Sequence, residues 1–276
     1  MKPIISVKKT IRPISARFIE ELMGQGKAVF TLAEACSAYG RDKHDAGKFL
    51  SDLVKRDVLL RIKSGIYLIV QIGQENIQLS NWPIIARELA SPNDYFLSHY
   101  SAMRLHGMTS HPLYDVYINI TKRHRTKKIN NITYHFIYSK PENFWGGSIH
   151  WVNKQEKILI SDLERTILDG LERPELCGGI KDIARGIWVK QSENNWERLI
   201  LYAAKFHTRA SVKRLGFILE TLKLGAQYLV FFAEIIASSN DYIFLDPNGT
   251  KEGRRLSRWH VRINMNIEEL KASVWE

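Results

Sequence analysis

From residue 14 to residue 70 the apolar positions fall into short blocks whose period changes along the chain. Ile14, Phe18, Ile19 and Leu22 recur at helical spacing, and Gly24 to Gly26 stop that helix. Val29 and Phe30 read as a short apolar link. Thr31 with Glu34 three positions later is a capping box, opening a short helix to about Ala38 that Tyr39 and Gly40 end. Asp42 or Lys43 opens a third helix whose apolar face is Ala46, Phe49, Leu50, Leu53 and Val54. Val58 to Ile62 and Ile66 to Val70 then flank Lys63, Ser64 and Gly65, a hairpin signal with glycine at the tight position. Three helices followed by a hairpin is the order of a winged helix-turn-helix.

Gln71 to Ser80 is polar and reads as a connector. Beyond it the pattern predicts helices over 83–90 and 98–106, then strands over 114–120 and 132–138 separated by a basic loop, Thr121 to Asn131. Short strands follow at 149–152 and 158–160, and helices at 163–172, 179–190, 196–206, 211–224 and 227–237. The tail, Tyr242 to Ile267, is strand-like around Asp246 to Gly249. The expected fold class is α+β: an N-terminal winged helix-turn-helix over 1–72, then a larger mixed α/β domain over 80–276.

Charge adds a partner to this picture. The 276 residues carry 40 Lys+Arg against 29 Asp+Glu, a net +11, which favours an anionic partner, with nucleic acid ahead of a membrane surface. The two cysteines, Cys36 and Cys177, are far apart and lack CxxC spacing, so neither a zinc finger nor a disulfide framework is expected. The N-terminus is basic without an apolar signal core, and the longest apolar run, Tyr228 to Ala237, is far below the ~20 residues a membrane span needs. These features predict a cytoplasmic protein with no membrane partner.

In a winged helix the third helix enters the major groove with its N-terminal residues at the base edges. Here those are Arg41, Lys43, His44, Asp45 and Lys48, while the hairpin carries Arg61 and Lys63. Arginine and lysine donate to guanine, an aspartate accepts from cytosine, and phosphate contacts supply affinity. The expected DNA-binding residues are therefore Arg41, Lys43, His44, Lys48, Arg61 and Lys63. Additional basic contacts are expected from Lys122, Arg123, Arg125, Lys127 and Lys128 in the loop between strands. Two further basic clusters are Lys205, Arg209, Lys213 and Arg214, in which 209 with 213 and 205 with 209 share one helix face if that helix is continuous, and Lys251, Arg254, Arg255, Arg258 and Arg262.

Four segments resemble AbiEi-type antitoxins. RIKSGIY (Arg61 to Tyr67) resembles the R-x-x-x-G-x-Y element that closes that family's winged helix, and FLSHYSAMRLHGM (Phe96 to Met108) its Y-x-S-H-x-S-A-L-x-x-H-G-L segment. SDLERTILDGL (Ser161 to Leu171), followed by Gly178, Gly179 and Ile180, is similar to its x-D-x-E-R-T-L-x-D helix. LDPNGTKEGRRLSRWHVRINM resembles its ending. The resemblance implies the antitoxin of a type IV toxin–antitoxin (abortive infection) system that represses its own operon through the N-terminal winged helix. Its partners would be the operator DNA and a nucleotidyltransferase-like toxin encoded alongside. A second implied reading is an antitoxin that masks the toxin directly.

Catalysis is not expected, and neither a cofactor nor a metal. Gly146, Gly147 and Ser148 followed by Asp162 and Glu164 loosely fit the Gly-Ser…Asp-x-Glu arrangement of nucleotidyltransferases. Ser161 and Glu164, however, read as a capping box with Asp162 at the first helical position, which gives all three local structural work. His99 and His106 lie two turns apart along the same face of one predicted helix with no carboxylate at metal-ligand spacing, and read as a hydrogen-bonded structural pair. Cys36 and Cys177 read as small buried or half-buried residues, and Trp145, Trp151, Trp188 and Trp196 as core.

Overall fold

The computed structural model describes residues 12–70 and 77–275. It divides into two compact units, one of Met1–Pro92 with Trp151–Lys157 and one of Asn93–His150 with Ile158–Glu276. The architecture is mixed α and β, in agreement with the α+β class.

The first unit opens with α1 (Pro13–Gly24), whose Phe18 and Leu22 are buried. Val29 and Phe30 form more than a link: Val29–Thr31 is a strand, β1. Helix α2 (Leu32–Tyr39) carries the expected capping box, Glu34 N donating to Thr31 Oγ1 and Thr31 N to Glu34 Oε2, and Gly40 ends it with φ 66°. Asp42 caps α3 (Lys43–Lys55), and β2 (Leu59–Lys63) turns through Gly65, φ 74°, into β3 (Ile66–Ile69). β3 is central in the sheet, antiparallel to both β1 and β2. That register sets Phe30 opposite Tyr67, their rings stacked at 5.8 Å. Leu50 and Leu53 of α3 close the core together with Phe18, Leu22, Val58 and Leu59.

The expected connector is shorter than ten residues. Positions 71–76 of it lie outside the described residues, and α4 (Ile77–Ala90) begins ahead of the predicted start, with Pro83 inside it. α4 also belongs to the first unit, so the division falls after residue 92 and not at 72–80. The cause is tertiary. Lys63 Nζ donates to the carbonyls of Glu88 and, at 2.8 Å, Ser91, at the C-terminal end of α4 where the helix dipole is negative.

The second unit holds a six-stranded sheet of β4 (Tyr95–Leu97), β5 (Asp115–Ile120), β6 (Lys127–Ile129), β7 (Ile132–Tyr138), β8 (Gly147–Trp151) and β9 (Lys157–Ser161) in the order β6-β7-β5-β4-β9-β8. α5 (His99–Leu105) follows β4. β5 and β7 are parallel, and the basic loop between them contributes its own edge strand, β6. Helices α6 (Leu163–Glu172), α7 (Ile180–Val189), α8 (Trp196–Lys205), α9 (Arg209–Thr221) and α10 (Leu229–Ile236) enclose the larger core with Leu168, Ile183, Leu215, Ile218 and Phe232. The tail forms β10 (Ile243–Phe244), β11 (Arg254–Leu256) and β12 (Val261–Ile263) in the order β10-β12-β11, ending in α11 (Ile267–Ala272).

Two expectations fail here. Lys205 and Arg209 do not share a helix face, because α8 ends at Lys205 and α9 begins at Arg209, which leaves only Arg209 and Lys213 four apart on one helix. Lys213 and Arg214 are buried, Lys213 donating to Asp241 O and the Arg214 guanidinium to the carbonyls of Leu171, Phe244 and Leu245. Burial lowers the Arg214 pKa to about 10, so the carbonyls stand in for lost water. Trp151, expected in the core, is 59% exposed. Among the described residues no helix is long and apolar enough to cross a membrane.

Candidate nucleic-acid interface

α3 is anchored by its buried positions Ala46, Leu50 and Leu53, and an α-helix so fixed turns the opposite side to solvent. On that open side stand His44, Asp45 and Lys48, all exposed, while exposed Lys43 lies at the flank, one turn before Ala46, with exposed Arg41 in the turn before them. Asp42 holds the N-terminus by accepting from the backbone of His44 and Asp45, both at 2.9 Å, and the Asp45 N–H keeps its carboxyl below the usual pKa. The positive end of the helix dipole therefore lies beside the cations.

Gly47 sits in the same stretch. A Cβ placed there would meet nothing within 4 Å, so the helix has a bare patch of backbone between Lys43, His44 and Lys48. Glycine inside a helix costs about 1 kcal/mol relative to alanine, and no neighbour of the fold requires it here. Hydrophobic periodicity gives no reason to single out Gly47. Its one signal is a glycine interrupting a helical period, which says nothing about which side it occupies.

The hairpin meets this helix at one groove. Lys43 and Arg61 line it together with Thr31, Cys36, Gly65 and Tyr67, and it encloses about 600 Å³. Arg61 is exposed on β2, opposite Tyr67 of β3, with a register irregularity between Arg61 and Lys63. Lys63 takes the other direction, onto the end of α4, so the two hairpin cations have different surroundings. The expected set thus separates into Arg41, Lys43, His44, Lys48 and Arg61, which face solvent, and Lys63, whose ammonium is held by two carbonyls.

The basic loop of the second unit is built differently. Lys122, Arg123, Arg125 and Lys128 are exposed, and Lys127 is half-buried on β6. Arg123 lies over the Tyr138 ring at 5.3 Å, and His124 packs on Phe136 and hydrogen-bonds Asn93 at 3.2 Å. The ring contact restricts where Arg123 stands without neutralising it.

Comparison of the chain with protein-family models yields no match, and no curated protein matches it. Among solved structures it is similar to the RV2827C protein from Mycobacterium tuberculosis, with 13% identity, a TM-score of 0.66, and coverage of 97% of this chain and 96% of that one. At that identity the likeness is one of fold.

The motif considered for nucleotidyl transfer is taken up by the fold. Asp162, not Ser161, is the N-cap of α6: its Oδ1 accepts from Arg165 N, and its Oδ2 accepts from Tyr202 Oη at 2.9 Å. Ser161 instead hydrogen-bonds Thr166, and Glu164 leaves the cap to accept from Arg198 and from Asn195 N. Gly146, φ 76°, lets the Arg165 side chain pass: a Cβ there would lie 3.0 Å from Arg165 Cβ. Arg165 then runs beneath Trp145 and Phe206 to Asp169, Nε to Oδ1 2.8 Å, while Arg165 Nη1 and Asp169 Oδ2 have no hydrogen-bond partner.

His99 and His106 do not pair with each other. His99 Nδ1 hydrogen-bonds Ser98 Oγ at 2.8 Å, and burial pushes its pKa down to about 3; His106 Nε2 hydrogen-bonds Ser161 O at 2.7 Å. Cys177 is buried, which raises its thiol pKa, and Cys36 is half-buried in the first unit's groove. No cluster of three or more His, Cys, Asp or Glu suited to a metal ion occurs among the described residues.

Proposed function

We propose that this protein is a DNA-binding repressor whose first unit is a winged helix-turn-helix. In this reading it is an AbiEi-type antitoxin that represses an operon carrying its own gene and that of a nucleotidyltransferase-like toxin. The observation that carries the reading is the shared groove of Lys43 and Arg61, one on the helix that would enter the major groove and one on the hairpin that would flank it. Lys43, His44 and Lys48 read bases, with Arg41 at the edge of the same surface. Arg61 grips backbone, and the residues around Asp162 work as structure rather than as a catalyst. Regulation takes place in the cytoplasm, where operator and toxin are both at hand.

The test is a mobility shift on the promoter fragment of its own gene at low ionic strength. The fragment should be retarded, and Lys43→Ala with Lys48→Ala should change preference among sites by ~1–3 kcal/mol for each base that is no longer read. An unretarded fragment overturns the reading. Co-purification with the neighbouring gene product and no shift would favour direct masking of a toxin.

A further inference from the structure

The small sheet β10-β12-β11 has two unlike faces. Register places Ile243, Val261 and Leu256 side by side, and this row packs on the core of the second unit. Alternation along a strand puts the neighbouring row on the other face, and that row is Phe244, Arg262 and Arg255. Tyr242, two positions before Phe244, joins it.

The cations of this face lie on its rings. Lys251 Nζ is 5.2 Å and Arg262 Cζ 5.5 Å from the centre of Phe244, and Arg255 Cζ is 5.3 Å from that of Tyr242. Arg258 is ion-paired with Glu220, but Lys251, Arg254, Arg255 and Arg262 are in no ion pair with a described carboxylate. A core does not need this arrangement. Buried rings would be covered by apolar side chains.

Charge without counter-charge calls for a polyanion. The interleaved rings narrow its kind. A duplex keeps its bases stacked inside and offers an approaching sheet only phosphate, whereas a single strand offers phosphate and an open base face together. Arg255 and Arg262, resting 5.3 and 5.5 Å from a ring, can swing to phosphates and leave that ring, or their own guanidinium plane, to a base. The hydroxyls of Tyr242 and Ser257, 3.3 Å apart, border the face and can both give and take a hydrogen bond, as a ribose 2′-hydroxyl requires. We propose that the outer face of β10-β12-β11 binds single-stranded RNA, with Arg255 and Arg262 on phosphates and Phe244 and Tyr242 under bases. This site is separate from α3 and the hairpin and does not depend on their role.

Fluorescence anisotropy of a labelled uridine 12-mer RNA with the full chain tests it. The 12-mer should bind at low salt, and Arg255→Ala with Arg262→Ala should weaken it at least ~tenfold and lower the salt slope by about 1.4. Phe244→Leu, which keeps apolar bulk, should weaken it ~fivefold or more at unchanged slope. Tyr242→Phe should bring the RNA 12-mer down to the affinity of the matching thymidine 12-mer. Phe244→Leu should not alter binding of a duplex of the same length, and the arginine pair should weaken the duplex less than the single strand. No binding of the 12-mer, equal loss on duplex and single strand, or indifference to Phe244→Leu would each overturn the proposal. A wild-type chain that holds the deoxyribose strand as tightly as the ribose strand would overturn the choice of RNA.

Discussion

Trp259 lies against the bare backbone of Gly216: a Cβ built at Gly216 would stand 2.1 Å from Trp259 Cζ3. The indole is fully buried, and its Nε1–H donates to Glu220 Oε2 at 2.6 Å, one turn further along α9. A ring seated on a helix backbone has no room to retreat. Gly216→Ala should therefore destabilise the second unit by about 3 kcal/mol or more, although alanine is the better helix former. Urea denaturation checks it; a stabilised variant would contradict the packing.

The two hairpin cations should separate in experiment. Lys63→Met removes the ammonium from the Glu88 and Ser91 carbonyls and should cost about 1 kcal/mol of stability, with little change in the salt dependence of DNA binding. Arg61→Ala should leave the denaturation midpoint nearly unchanged and reduce the salt slope by ~0.9. The reverse pattern would show that the two side chains exchange roles on DNA.

Gly47→Ala should move stability and binding in opposite directions. Its site is open, so alanine should add about 1 kcal/mol to folding stability. The added methyl group stands on the surface proposed to meet DNA, and binding to the promoter fragment should weaken roughly tenfold, the size of one base contact. A variant more stable and equally tight would remove Gly47 from the interface.

Two buried groups of the second unit should oppose each other in acid. His99 has its pKa lowered from 6.5 to about 3 by burial, then by Arg173 and Arg165, so its contribution to stability is present above 6.5 and lost as pH falls toward 3. Asp169 has its pKa raised from 3.8 to about 6, burial outweighing Arg165, so its contribution is present below 3.8 and lost as pH rises through 6. Between about pH 4 and 6 the two slopes, each about 1.4 kcal/mol per pH unit, run in opposite senses. Asp169→Asn should leave the His99 slope alone, so the stability of that variant relative to wild type should fall on acidification from pH 6 to 4. Urea midpoints at several pH values read this directly, and a constant difference would mean that Asp169 stays charged in the fold.

The chain itself specified whatever depends on near neighbours. The Thr31–Glu34 capping box, the left-handed turn at Gly65 and the limits of α3 and α6 follow from residues within a turn or two of each other, where side-chain period and backbone conformation act directly. Only the tertiary structure decided which charges are compensated. Lys213 and Arg214 read like surface cations, yet distant carbonyls of Leu171, Asp241 and Phe244 enclose them. Lys63 and Arg61 are alike in sequence and differ only because α4 ends beside one of them. The row of Phe244, Arg262 and Arg255 exists only through strand pairing across a turn. A charge shows its kind in the sequence, but its partners come from wherever folding brings the chain back, and that return sets desolvation and hydrogen bonding.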